Sequence, residues 1–330
     1  MAGGLAVVLS GGGAKGAFQV GALNALIREK GVDFETAVGT STGAIQAAAV
    51  AQDDMERLLG FWRGITGNNS IYTSFLSPVW PIIRGKEAIY STKPLRALFE
   101  KMYDDEAIRA TGKNLRLAVV SLTSGDLEII DESYDRIADW VYASSAMPVF
   151  FDPLVTTHIN GRREQWVDGG VRDVTPLSAG MAARPRAVLV IRAGARTDLD
   201  EGKDYDNLFK IVMRSVDLLS REVSENDLKN VDLINALIEG RNKQRKELEQ
   251  TSLDTATIDK VMSHFDTLVA RYKLVPIKVI EPETDLYDTL DFVPELLEQN
   301  IQRGREAVLS QWGELSEFLG VYAQAWLHHP

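Results

Sequence analysis

Residues 38–48 read V-G-T-S-T-G-A-I-Q-A-A, with Ser41 set two positions from Gly39 on one side and Gly43 on the other, and an alanine-rich run beyond. In a G-x-S-x-G arrangement the serine sits on a sharp turn between a strand and a helix, where side chains at both glycine positions would clash. Such a turn places the serine oxygen at a helix N-terminus, where unpaired N–H groups and the helix dipole favour developing negative charge. The flanks fit that geometry. Phe34–Val38 reads as a short strand and Ala44–Ala51 as a helix. The same rhythm occurs upstream, where Leu5–Leu9 is a continuous apolar run and Ser10–Gly13 a turn. Ala14–Lys30 then has helical spacing, with Val20, Leu23, Leu26 and Ile27 on one face and Gly31 where a C-cap belongs. Strand–loop–helix twice in fifty residues is the rhythm of a parallel α/β sheet.

Further along, Leu115–Leu122 and Leu127–Ile130 flank S-G-D, which predicts a hairpin. Residues 132–146 read as helix up to Pro148, Trp166–Val167 as a strand leading into D-G-G, and Ala187–Arg192 as another buried strand. Two long helical patterns, Leu208–Glu239 and Thr255–Tyr272, are separated by the charge run R-N-K-Q-R-K-E-L-E, which reads as a solvated helix face. A last strand is expected at Lys278–Ile280 and helix again over 294–327. No internal repeat or low-complexity linker divides the chain. The expectation is a catalytic core over 1–200 and a helical C-terminal layer over 201–330, packed as one domain.

At 330 residues the chain can bury a substantial core. Its 45% hydrophobic and 25% charged residues are those of an ordinary globular protein. A net charge of −11 argues against nucleic acid as a partner and against strong attraction to anionic lipid. The absence of cysteine rules out disulfides and thiolate metal sites. The N-terminus has no basic segment and an apolar run of only five residues, unlike a signal peptide, and no stretch approaches the ~18 apolar residues of a membrane span. These features predict a cytoplasmic protein.

S-G-G-G-A-K-G, residues 10–16, also lies between a strand and a helix. Its backbone N–H groups can converge on one anion. Gly11, Gly13 and Gly16 match the spacing of a dinucleotide fingerprint, but the second strand ends in G-T-S-T-G where an acidic residue would meet the ribose. A Walker loop would need Gly-Lys-Ser/Thr, and the order here is Lys15-Gly16-Ala17. The favoured reading is an oxyanion hole serving Ser41, because the C-terminal ends of adjacent parallel strands lie side by side. A serine nucleophile needs a base. None of the four histidines (His158, His264, His328, His329) sits in a strand-to-loop context. Asp168, between the apolar Trp166–Val167 and Gly169–Gly170, can be held at a strand end with its carboxylate in a cleft, although Asp-Gly is also a common β-turn. No histidine or carboxylate cluster has metal-ligand spacing.

Four blocks in order, G-G-G-A-K-G (11–16), G-T-S-T-G (39–43), A-S-S-A-M-P (143–148) and D-G-G (168–170), resemble those of the patatin-like phospholipases, over about residues 5–195. Y-S-T-K-P-L-R at 90–96 and D-F-V-P-E near 291 are similar to bacterial members. The resemblance implies a three-layer α/β/α fold with a mostly parallel central sheet. It implies a Ser41–Asp168 dyad working without histidine, and an oxyanion hole from the N–H groups of Gly12, Gly13 and Ala14, with Thr42 as an addition. Lys15 stands where the family carries Arg or Lys, and Val174 where relatives often have Asn. The implied activity is hydrolysis of lipid carboxylic esters, of the phospholipase A type, with no cofactor. An acyltransferase using the same acyl-serine and a lipid-binding regulatory protein are the alternatives. Transient contact with a membrane surface is expected of such an enzyme, and the uncharged stretch 70–83 reads either as a hydrophobic connection tucked into the core or as an interfacial cap beside the Ser41 cleft, with Tyr72, Phe75 and Trp80 at the interface.

Overall fold

A computed structural model describes residues 4–74, 88–157, 161–196, 204–206, 208–270, 274–285 and 287–323. The apolar run becomes β1 (Leu5–Leu9), buried along almost its whole length. A single 3₁₀ turn over Gly13–Gly16 leads into α1 (Ala17–Asn24), which continues through a wider turn over Ala25–Glu29. Gly31 then adopts a φ of +68°, in the left-handed region that a helix C-cap needs. β2 (Thr36–Thr40) runs directly into Ser41, and α2 (Thr42–Gln52) leaves it. Strand and helix each reach two residues closer to the serine than their apolar patterns suggest, so the turn between them is a single residue.

The chain continues through α3 (Met55–Arg63), whose N-terminus is capped by the Asp54 carboxylate accepting from the Arg57 N–H. Short β3 (Thr73–Ser74) and β4 (Tyr90–Ser91) pair in a separate ribbon, followed by α4 (Lys93–Met102) and α5 (Asp105–Ala110). The expected hairpin forms from β5 (Asn114–Ser121) and β6 (Leu127–Asp131). Then come α6 (Ile137–Ser145), β7 (Leu154–Thr157), β8 (Arg163–Asp168), α7 (Leu177–Ala182) and β9 (Ala187–Ile191). α8 (Leu208–Glu249) is longer than its apolar pattern, because the charge run is its own last turns. Arg241 and Arg245 there pair with Asp266 and Asp259 of α9 (Thr255–Val269), joining the two helices. β10 (Ile277–Ile280), α10 (Pro294–Ser310) and α11 (Trp312–Ala323) complete the described chain.

The main sheet has the order β10-β9-β1-β2-β5-β8-β7. The first five strands are mutually parallel, while β8 and β7 extend the sheet antiparallel and β6 pairs antiparallel with β5. Side chains alternate across the pleat. Val7 and Leu9 join a core with α1, α2 and α10 on one face, whereas Ala6 and Val8 join Leu177 of α7 and Leu228 and Val231 of α8 on the other. This is the three-layer α/β/α arrangement. α10 approaches α1 closely because both carry glycine at the crossing: a methyl on Gly21 would overlap the Ile301 carbonyl, and one on Gly304 the Phe18 carbonyl. The C-terminal layer therefore shares the core of the sheet. No helix among the described residues is long and apolar enough to cross a membrane.

Candidate active site

β1 and β2 lie side by side in parallel register, with Leu9 opposite Gly39, so the glycine loop and the serine turn emerge at the same sheet edge. Ser41 has φ 57° and ψ −125°, a strained conformation for a residue with a side chain. The two glycines around it are sterically required. A Cβ on Gly39 would overlap the Gly43 carbonyl, and one on Gly43 would overlap the Leu9 carbonyl. Ser41 is only 8% exposed, and Thr42 opens α2, so its N–H is one of the first-turn donors with no intrahelical partner.

The turn is clamped from α6. Ser144 Oγ accepts from the Ser41 N–H at 3.0 Å and donates to the Ala118 carbonyl at 2.7 Å. Ser145 Oγ donates to the Ser41 carbonyl at 3.2 Å and to Val141 at 2.9 Å. Both groups of the strained peptide are thus held by adjacent side chains. In the sequence A-S-S-A-M-P is a recognisable block with no task of its own. The signal was two consecutive small hydroxyls at a helix C-terminus, a pattern with no meaning until the partner is known.

Asp168 is the last residue of β8. Its N–H donates to the Ala146 carbonyl at 3.0 Å, and its Oδ1 accepts from the Gly170 N–H at 2.7 Å. Gly169 allows the close pass of this turn over β5, since a methyl there would overlap the Ala118 carbonyl. The residue is 5% exposed and lines the same cavity as Ser41. Burial pushes its pKa up to about 6, against the opposing pull of the Ser41 and Gly170 hydrogen bonds. A carboxylate in this state can accept the serine proton near neutral pH.

The glycine loop faces the serine: the position of a Cβ on Gly11 lies 3.2 Å from Ser41 Cβ, and Gly12 leaves no room for a methyl against Ala193. Gly16 is similarly crowded by Thr42 and Gln46. Among the described residues the N–H groups of Gly12 and Gly13 meet no acceptor. One expectation needs correction here. The Ala14 N–H donates to the Thr289 carbonyl at 2.8 Å, so it is not available to an oxyanion. Lys15, at the position where the family carries Arg or Lys, bridges Asp285 at 2.7 Å and Asp217 at 3.1 Å. Burial pulls its ammonium down, but the two carboxylates outweigh that and leave its pKa raised. Lys15 ties the loop to α8 and to the 285–289 segment. Val174, the departure from the family pattern, accepts from the Gly11 N–H through its carbonyl, a backbone contact that any residue could make.

Two cavities meet at Ser41. The larger, about 340 Å³, contains Gly12, Asp168, Lys15 and Arg192 and has an apolar rim of Val149, Val171 and Leu219. All three rim residues are more than half exposed, and Val149 adopts a φ of 74°, unusual for a β-branched side chain. The smaller, about 40 Å³, shares Gly13, Ser41 and Met147 with it and lies between α2, α3 and α4. Of the two readings of 70–83, Tyr72 takes the core one rather than the interfacial one: its hydroxyl donates to the Leu290 carbonyl at 3.0 Å and its ring packs on Tyr90 and Phe151. Its ring finds more aromatic contact inside than at a surface. Phe75 and Trp80 lie outside the described residues. His264 is exposed on α9, and His158, His328 and His329 lie outside the described residues. Among the described residues no cluster of three acidic or histidine side chains could hold a metal.

Residues 7–181, more than half of the chain, match the family model for patatin-like phospholipase. The uncharacterized protein YqhO of Bacillus subtilis (strain 168) is 28% identical over 224 residues, covering 62% of this chain and 76% of YqhO. Among solved structures, VipD from Legionella pneumophila is similar over 98% of this chain and 67% of its own, at 16% identity and a TM-score of 0.40.

Proposed function

The chain belongs to the patatin-like phospholipase family, and from that premise we propose that it hydrolyses carboxylic ester bonds of lipids through Ser41 and Asp168. The observation that carries this reading is the strained Ser41 turn sharing one cavity with Asp168, a buried carboxylate that burial lifts to about 6. Asp168 takes the Ser41 proton as Oγ attacks the ester carbonyl. The developing oxyanion is received by the free N–H groups of Gly12 and Gly13, with Thr42 on the helix side. The proton then passes from Asp168 to the departing alcohol, and water, deprotonated by the same carboxylate, releases the acid from the acyl-serine. Ser144 and Ser145 keep the nucleophile in its strained rotation through this cycle. The apolar rim of Val149, Val171 and Leu219 supports approach from a lipid surface, a role that Tyr72 does not have.

Labelling with a fluorophosphonate, read by intact mass, tests the assignment. The wild type should gain one adduct, mapped to Ser41, and Ser41→Ala should gain none and lose ester turnover by several orders of magnitude. An adduct on another serine, or more than about a tenth of wild-type turnover in Ser41→Ala, would overturn the reading.

A further inference from the structure

Gly11, Gly12 and Gly13 are consecutive, and glycine backbone is the freest to rotate. The direction of the Gly12 and Gly13 N–H groups is therefore set by what holds the peptides on either side. On the N-terminal side the Gly11 N–H donates to the Val174 carbonyl at 2.9 Å, and the Ser10 carbonyl accepts from the buried Gln19 amide at 2.9 Å. On the C-terminal side the anchors at Ala14 and Lys15 come from residues 287–300. The Ala14 N–H donates to the Thr289 carbonyl at 2.8 Å, and the Ala14 carbonyl accepts from the Tyr287 hydroxyl at 3.0 Å. The Lys15 carbonyl accepts from the Asn300 amide at 3.3 Å. Gly13 is pressed against the same segment: its φ is +56°, and the Thr289 carbonyl occupies the place of a Cβ.

These bonds form a chain with one direction. Arg303, a turn further along α10, donates to Asn300 Oδ1 at 3.3 Å, which turns the Asn300 NH₂ towards Tyr287 and Lys15. That NH₂ donates to the Tyr287 hydroxyl at 3.1 Å. The phenol then has a single proton to give, and the Ala14 carbonyl receives it. Burial raises the Tyr287 pKa, so the phenol keeps that proton. Tyr287 is 7% exposed and Asn300 3%, which places these bonds out of reach of bulk water. The segment is fixed on both flanks, the Thr284 carbonyl accepting from Arg303 at 2.7 Å and the Leu290 carbonyl from Tyr72 at 3.0 Å.

We infer that Tyr287 and Asn300 are positioning residues for ester cleavage: they hold the Ala14–Lys15 backbone so that the Gly12 and Gly13 N–H groups keep the direction an oxyanion needs. The inference rests on the ester-hydrolase reading above and deepens it, giving part of the oxyanion hole to residues beyond the family match, which ends at residue 181. Neither side chain lines either cavity at Ser41, so both act through the loop and not on the ester. Removing one oxyanion donor costs on the order of 10²–10³ in turnover, and donors that remain but are free to turn should cost about tenfold.

The test compares Tyr287→Phe, Asn300→Ala and the double variant with wild type, using 4-nitrophenyl butanoate as substrate and pentyl trifluoromethyl ketone as inhibitor. With the ketone, a bond forms from Ser41 Oγ to the carbonyl carbon, the serine proton passes to Asp168, and the carbonyl oxygen becomes the oxyanion. In each single variant kcat should fall about tenfold with KM within about twofold, and the inhibition constant should rise by the factor that kcat loses. The double variant should lose less than the product of the single losses, because Asn300 acts partly through the Tyr287 hydroxyl. Melting curves establish that each variant is folded at the assay temperature; if Tyr287→Phe is not, Asn300→Ala decides. Unchanged kcat and inhibition constant in the folded variants overturn the inference and leave the hydrolase reading in place. A fall in kcat that the inhibition constant does not follow, or that only matches the unfolded fraction, shows a purely structural role and overturns it as well. Absence of wild-type turnover, with no fluorophosphonate adduct at Ser41, sinks the hydrolase reading and this inference with it.

Discussion

Replacing Asp168 by Asn should abolish activity and stabilise the protein, and the size of the gain should depend on pH. The carboxyl is raised from an ordinary value of 3.8 to about 6 by burial in the folded state. A raised folded pKa means that the native state binds the proton more tightly than the unfolded chain. The stability this proton contributes is complete below about pH 4 and is lost as pH rises through about 6. Above that, the native state holds a desolvated carboxylate that the unfolded chain would solvate. A shift of about two units corresponds to about 3 kcal/mol at 1.36 kcal/mol per unit. Asn has nearly the same shape, still accepts from the Gly170 N–H and carries no charge to desolvate. The variant should therefore exceed wild type by up to about 3 kcal/mol at pH 8 and match it at pH 4. For a chain of this length that is a rise on the order of 5 °C in melting temperature at pH 8.

The assay is paired thermal and urea unfolding of wild type and Asp168→Asn at pH 4, 6 and 8, beside ester turnover at each pH. A gap that opens with pH while turnover stays lost would show that a group kept for function is held against stability. A variant less stable than wild type at pH 8, or a gap independent of pH, would refute the claim that burial of this carboxylate is the dominant influence on it.

Because Asp168 must be ionised to act as base, kcat/KM should fall tenfold per unit below a limb near pH 6; a limb near 4 would mean that the carboxyl is solvated in the working enzyme. Ser144→Ala removes the acceptor of the Ser41 N–H and the donor to Ala118, so it should cost about 1–3 kcal/mol and lower kcat more than it raises KM; steady-state kinetics with a melting curve reads both. Lys15→Met removes the nearer of the two cations that Asp285 and Asp217 share, leaving Arg221 at 3.7 and 3.4 Å, so a loss of about 1–3 kcal/mol is expected in urea unfolding. Normal stability with weakened substrate binding would instead make Lys15 a ligand residue.

The parts of this molecule legible in its sequence are those governed by local chemistry. The apolar run at Leu5–Leu9, the hairpin around S-G-D and the paired glycines about Ser41 each follow from contacts within a few residues or from the pleat of one strand. What could not be read depends on partners far along the chain. Ala14 has the composition and position of an oxyanion donor, and only the arrival of Thr289, 275 residues later, engages its N–H. Tyr72 sits in an uncharged stretch rich in aromatic residues that suits a membrane surface equally well, yet Leu290, Tyr90 and Phe151 enclose it. The Lys15 ammonium likewise has no partner within its own stretch, and only α8, with Asp217, and the turn that carries Asp285 supply its carboxylates.

The absence of histidine from the proposed dyad has a physical account in the same long-range contacts. A solvated aspartate, with a pKa near 3.9, is too weak a base to share a serine proton efficiently at neutral pH, while a histidine near 6.5 is well matched. The fold closes most of that gap without changing the residue. β8 runs antiparallel to β5 with Asp168 opposite Val119, and the Ala146 carbonyl fixes its backbone. Gly169 lets the turn pass directly over Ala118, which brings the carboxyl under cover. Burial then lifts it to about 6. A base of histidine-like strength is thus made from a strand end, a glycine and the exclusion of water. It follows that a substitution which opens this corner to solvent without touching Asp168, such as truncating Val174, whose methyl lies 3.7 Å from the position of a Cβ on Gly170 and which lines the same cavity, to Ala, should shift the pH–rate limb downward. An unchanged limb in a folded Val174→Ala variant, with water demonstrably admitted by faster hydrogen exchange at Asp168 and Gly169, would show that the hydrogen bonds and not burial set the strength of the base.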